Sequence, residues 1–254
     1  MTYPLAVQLY TLRHLSDDVR ELIRVAAEAG YAGVEGGYGP KLGAAELKEV
    51  LSENGVEMVS AHVGLDTLES DLAQAMSFQK ALNNDVLIIP WLDKSLYDDS
   101  AESWQRLGER FNKIAERVKA EGMTLLYHNH SFEFGTYRDE TGEGKLGLEH
   151  LLDSAPDLGL ELDIGWCQEG GVDPYGLLKK YAGRVPRLHV KDRAPEGENA
   201  DEGGWADVGH GVIAWEPLLK AAQDAGTQWF VVEHDEPKDP ERTIKRSFDA
   251  LASL

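Results

Sequence analysis

Cysteine is nearly absent: Cys167 is the single one among 254 residues, so an internal disulfide and a four-cysteine zinc site are both excluded. A reducing cytoplasm fits that usage. Long apolar runs are missing too, and none approaches the ~18 residues a membrane-spanning helix needs. The N-terminus, MTYPLAVQLYTLRHLSDD, has no basic start followed by an apolar stretch, so neither secretion nor membrane insertion is expected. Basic residues are scarce, 25 Lys and Arg against 45 Asp and Glu, which leaves a formal net charge of −20. A field of that sign repels a phosphate backbone wherever it is not locally reversed, so nucleic acid is a poor default partner. It does suit the attraction of metal cations.

What is present is a rhythm. The length and 42% hydrophobic content allow one large core and match the usual size of a (β/α)8 barrel. Eight short apolar runs recur: Leu5 to Leu12, Gly33 to Tyr38, Glu57 to Val63, Asp85 to Trp91, Met123 to His130, Leu158 to Trp166, Val185 to Asp192 and Trp229 to Glu236. Between them, stretches such as DDVRELIRVAAEAG and SWQRLGERFNKIAERVKAEG space apolar residues as amphipathic helices do and end in glycine. Alternating strand and helix predicts an α/β fold, a single-domain (β/α)8 TIM barrel spanning residues 1–254. The longest interruption, Arg193 to Ala214, follows the seventh run and is rich in glycine and charge. We expect a functional loop there, closing over the mouth with Trp205 and His210.

Strands buried on both faces should be apolar throughout, so polar residues near their ends require a reason. Gln8, Glu35, His62, His128, His130, Asp163, His189, Lys191 and Glu233 all stand near the C-terminal ends of their runs. Barrel enzymes place their chemistry at that face. Any one of these alone reads as a solvated rim residue or a satisfied hydrogen-bonding group. Together, Asp163, His189 and Glu233 come from successive strands and converge, and carboxylates with imidazole suit Mn2+, Mg2+, Co2+ or Zn2+. Clustered anions need a cation, and Lys191 is the lysine available at a strand end. Because alternate residues share a face, Glu161 lies one layer deeper than Asp163 and reads as a hydrogen-bonding support.

In order, VQLYTLR, YAGVEGGY, SAHVGLD, YHNHSFEF, ELDIGW, RLHVKD, VGHGVIAWEPLL and VVEHDEP resemble the sugar phosphate isomerase/epimerase family of xylose isomerase-like barrels over essentially the whole chain. That family also contains inosose dehydratase, ketose 3-epimerases and endonuclease IV. The resemblance implies one divalent metal held by glutamate, aspartate, histidine and glutamate, of which Asp163, His189 and Glu233 carry over. The first glutamate is replaced by His128, which is expected as the fourth ligand.

In the ketose epimerases, as the resemblance implies, two glutamate ligands exchange protons with opposite faces of the carbon beside the carbonyl. Here Glu233 alone remains, so His128 or His130 is expected as the second acid/base and Lys191 as the group facing the enediolate oxygen. An ordinary imidazole at position 128 would give the activity an acidic limb at roughly pH 6 to 7. Gln8, Glu35, His62, Trp166, Lys191 and Trp205 are expected to contact a small-molecule carbohydrate. The leading expectation is isomerisation or epimerisation by proton transfer next to a carbonyl; the alternative is dehydration of a keto sugar or inosose. A DNA-repair enzyme and a non-catalytic sugar-binding barrel rank below, and a homo-oligomer is left open.

Overall fold

A computed structural model describes residues 3–37 and 42–254. Eight parallel strands close into a barrel: β1 (Leu5–Gln8), β2 (Gly33–Gly37), β3 (Glu57–His62), β4 (Val86–Ile89), β5 (Thr124–His128), β6 (Gly159–Asp163), β7 (Arg187–Val190) and β8 (Trp229–Val232), with β8 pairing β1. The eight expected runs are these strands, although Tyr38, the end of the second run, lies outside the described residues. The helices form around them because each has an apolar face and a defined start. Helix α1 (Val19–Ala29), for example, is capped by Asp18, whose side chain accepts from the Arg20 amide, and stops at Gly30, φ 111°. Its Leu22, Ile23, Val25 and Ala26 are buried in the main apolar core.

Most of the runs outlast their strands at the mouth end, the eighth stopping at Val232 rather than Glu236, and in two the local reason is plain. β1 stops at Gln8, whose side chain accepts from the Tyr10 amide at 3.1 Å and turns Leu9–Leu12 into a short 3-10 helix. β6 stops at Asp163, which caps the helix Ile164–Glu169 by accepting the Trp166 amide at 2.7 Å. The residues beyond each strand therefore face the mouth rather than extend the barrel.

Strand register sets the functional neighbours. Gln8 lies beside Glu35, Gly37 beside His62, His128 beside Glu161, and Asp163 beside His189. A register shift between Val34 and Glu35 re-aims that part of β2.

The long segment after β7 is ordered by one carboxylate. Asp192 accepts from the amides of Arg193, Gly209, Gly211 and Ile213 and from Trp215 Nε1, at 2.8 to 3.2 Å. The two glycines make this wrapping feasible: Gly209 has φ +81°, and a Cβ on Gly211 would sit 2.2 Å from Asp192 Oδ1. Asp192–Arg193 also pairs antiparallel with Trp205–Ala206. Gly209 and Gly211 thus let the backbone close on Asp192.

Candidate active site

The buried side chains at the barrel mouth form two layers. In the upper one, His128, Asp163, His189 and Glu233 each present a ligand atom, all within 4.8 Å of one another. Asp163 Oδ2 is buried without a hydrogen-bond partner, 3.7 Å from His189 Nδ1, 3.9 Å from Lys191 Nζ and 4.0 Å from His128 Nε2. A buried carboxylate oxygen left unpaired among donors at that distance fits a cation held between them. Two imidazoles with two carboxylates suit Zn2+, Co2+ or Mn2+.

The lower layer orients the upper. Glu161 Oε2 lies 3.1 Å from His128 Nδ1, 3.2 Å from His189 Nε2 and 2.9 Å from His62 Nε2. Glu35 Oε1 lies 2.8 Å from His189 Nε2 and 3.0 Å from His62 Nε2, and accepts from Gln8 Nε2 at 2.6 Å; Ser60 donates to its other oxygen. Each ligand histidine therefore gives one nitrogen to the upper site and the other to a carboxylate below, the arrangement that fixes ring orientation in metal sites. Burial and the Glu35 charge push Glu161 up. Burial acts on Glu35 as well, but His62 and His189 outweigh it and hold that carboxyl well below its ordinary range.

Lys191 is 1% exposed, with Nζ 2.6 Å from Asp235 Oδ1, 3.2 Å from Glu233 Oε2, and over the rings of Trp205 and Trp166. Burial opposes its charge, yet Glu233, Asp163 and Asp235 prevail and raise its pKa above the ordinary lysine value. Gly165 lets this side chain pass, since a Cβ there would meet Lys191 Cγ at 2.9 Å.

The imidazole at 128 behaves differently from the sequence expectation. Burial, reinforced by His189, His130 and His62, holds His128 well below the ordinary histidine value, so its surroundings give no acidic limb near neutrality. Its Nδ1 is 3.1 Å from Glu161 Oε2, and its Nε2 faces Asp163 Oδ2 at 4.0 Å. His130 is lowered to about 3 by burial and the Lys191 charge, and its Nδ1 is buried without a partner. Neutral at rest, it is the imidazole with a nitrogen to offer.

A cavity of about 730 Å3 opens over this site, lined among others by Gln8, His62, His128, His130, Trp166, Lys191 and Glu233. Glu35 and Trp205, expected to touch substrate, are buried outside the residues that line it. Glu35 supports histidines and Trp205 supports Lys191. His210 is exposed and also outside the lining.

Three residues escaped the sequence reading. Asp235 lines the cavity and holds Lys191; its place two residues after Glu233 was the available signal. Trp91, 56% exposed on the cavity wall, packs edge-on against His130. Glu133 is buried, accepting from Tyr127 OH at 2.5 Å and from the His130 amide at 2.9 Å, which fixes the turn that carries His130.

Burial pushes the Glu133 carboxyl up to about 7. The folded state thus prefers the protonated acid: this stabilisation is full below about pH 4.5 and is lost as pH rises through about 7. Glu133→Gln removes that titration, so its thermal midpoint should match or trail the wild type at pH 5 and exceed it at pH 8, the relative gain approaching about 3 kcal/mol. Parallel melting curves at both pH values would show no such crossing if Glu133 were ordinary.

A model of the family described as xylose isomerase-like TIM barrel matches residues 23–254. Inosose dehydratase of Klebsiella pneumoniae (strain 342) is 27% identical over 250 residues, covering 85% of this chain and 82% of that protein. Among solved structures, a sugar phosphate isomerase/epimerase from Parabacteroides distasonis ATCC 8503 aligns with a TM-score of 0.81 at 22% identity, over 100% of this chain and 95% of that one. The IolI protein, solved with a bound zinc atom, aligns with a TM-score of 0.78 at 15% identity, over 98% of this chain and 97% of its own. The two structural likenesses establish the barrel.

Proposed function

The chain belongs to the xylose isomerase-like TIM barrel family, and on that premise we propose that it is an enzyme that removes water from a ring ketone, a keto sugar or inosose, with one divalent metal. The similarity to inosose dehydratases favours dehydration over the isomerisation or epimerisation that the motifs first suggest. One observation carries the preference. An epimerase needs acid/base groups on two faces of the reacting carbon, whereas here Glu233 and His128 stand among the residues that would hold the metal, and the groups left on the cavity wall, His130 and Lys191, both lie against Trp166.

His128, Asp163, His189 and Glu233 are the residues that would hold the metal. A divalent ion supplies Lewis-acid polarisation of a carbonyl. His130, an imidazole on the cavity wall, takes the proton from the carbon beside the carbonyl, and the pair of that C–H bond forms an enolate. The Lys191 ammonium, held by Asp235 and Glu233, offsets the charge that develops on oxygen. Collapse of the enolate restores the carbonyl, forms a double bond between the α and β carbons, and expels the β hydroxyl, which takes the proton back from His130 and leaves as water. Gln8 and His62 line the same cavity and supply polar contacts for the remaining hydroxyls.

The test is incubation of Mn2+-loaded protein with a keto-inositol in deuterated water, followed by mass spectrometry. We expect a product lighter by one water. An isomeric ketone with no water lost would return the reading to isomerase or epimerase.

A further inference from the structure

We infer that the ring ketone taken by this site carries an apolar substituent, aryl or alkyl, which lies in an apolar arm of the same cavity. The inference rests on the reading above of the polar part as a ring-ketone site. The polar side chains named there are one part of the cavity lining. The rest of the wall is of another kind: Leu9, Val19, Leu22, Leu47, Met58 and Phe78 supply it from the turn after β1, from α1, from the helix Ala44–Asn54, from β3 and from the helix Leu72–Ala81. Asp17 and Gln79 are the polar side chains among them, and Gln79 Oε1 is already taken by Asn84 Nδ2 at 2.9 Å.

Size points the same way. The whole cavity is about 730 Å3, within the range of roughly 300–1,000 Å3 that holds drug-sized ligands, and a bare six-membered polyol is far smaller. Nor would a polyol gain by entering the arm, because hydroxyls buried against these side chains lose their water hydrogen bonds without replacement. An apolar group loses none and removes apolar surface from water. At the rim stand Tyr10, 50% exposed, and Trp91, 56% exposed, both on the cavity wall, which suits passage of a molecule with a flat or apolar face.

Calorimetric titration of the Mn2+-loaded full chain with phenyl and with methyl β-D-glucopyranoside separates the two parts. The phenyl compound is expected to bind roughly tenfold tighter. Val19→Trp fills the arm from α1 and Phe78→Asp sets a charge among its apolar side chains, so each should abolish the preference; melting curves establish that both are folded. Equal affinity for the two glycosides in wild type overturns the inference, as does a preference that survives both substitutions. Water loss from a keto-inositol without phenyl preference removes this inference and leaves the reaction, whereas phenyl preference without turnover of any ring ketone supports the arm and removes the reaction.

Discussion

Replacing Asp163 with alanine is expected to bring bound divalent metal from one equivalent per chain to a trace and to lower turnover by more than about a hundredfold, beyond the 10- to 100-fold that loss of a supporting partner costs. The reason is the position of its Oδ2, which is buried, unpartnered and within 4.8 Å of the other three ligand atoms. The other oxygen caps a helix through the Trp166 amide, so alanine also loses about 1 kcal/mol of capping. Asp163→Asn keeps a capping oxygen and isolates the metal effect. Elemental analysis of purified Asp163→Ala, Asp163→Asn and Glu233→Ala decides the matter, and full occupancy in the alanine variants would sink the assignment.

For Lys191→Met, the expected loss is in stability as well as activity. The ammonium, itself 1% exposed, is the counter-charge for Glu233 and Asp235. Methionine fills similar volume and leaves the buried Glu233 and the partly buried Asp235 without it, which costs about 3 kcal/mol, the low end for a buried pair. At about 2–4 °C per kcal/mol for a chain of this size, the metal-free protein should melt roughly 10 °C lower. A shift under roughly 2 °C by calorimetry would mean that the carboxylates find another partner.

The fold was legible because a barrel strand is a short apolar run with a polar residue where it reaches the mouth, and seven of the eight follow that pattern; β4, Val86–Ile89, is followed by Pro90 and Trp91 instead. The four residues that converge were legible for the same reason: His128, Asp163, His189 and Glu233 lie at or just past strand ends, and register alone makes two of them neighbours. The supporting layer was harder. Glu161 could be placed below Asp163 by alternation, but nothing in a linear pattern says that one of its oxygens meets three histidines from three other strands. Glu133 acts from the 3-10 turn Phe132–Phe134, where no periodicity assigns a direction. The neutral state of His128 was likewise hidden, since it follows from burial and neighbouring charges that only the closed barrel assembles.

The way Asp192 gathers the segment after β7 bears on redesign. Five donors converge on a side chain immediately after Lys191, so the base of this loop is fastened to the same strand end that serves the chemistry. Its outer stretch, residues 196–201, is exposed. The outer stretch is thus a tolerant graft point, where sequence can be exchanged or lengthened, while Asp192, Gly209 and Gly211 form the clasp that any transplanted loop must keep.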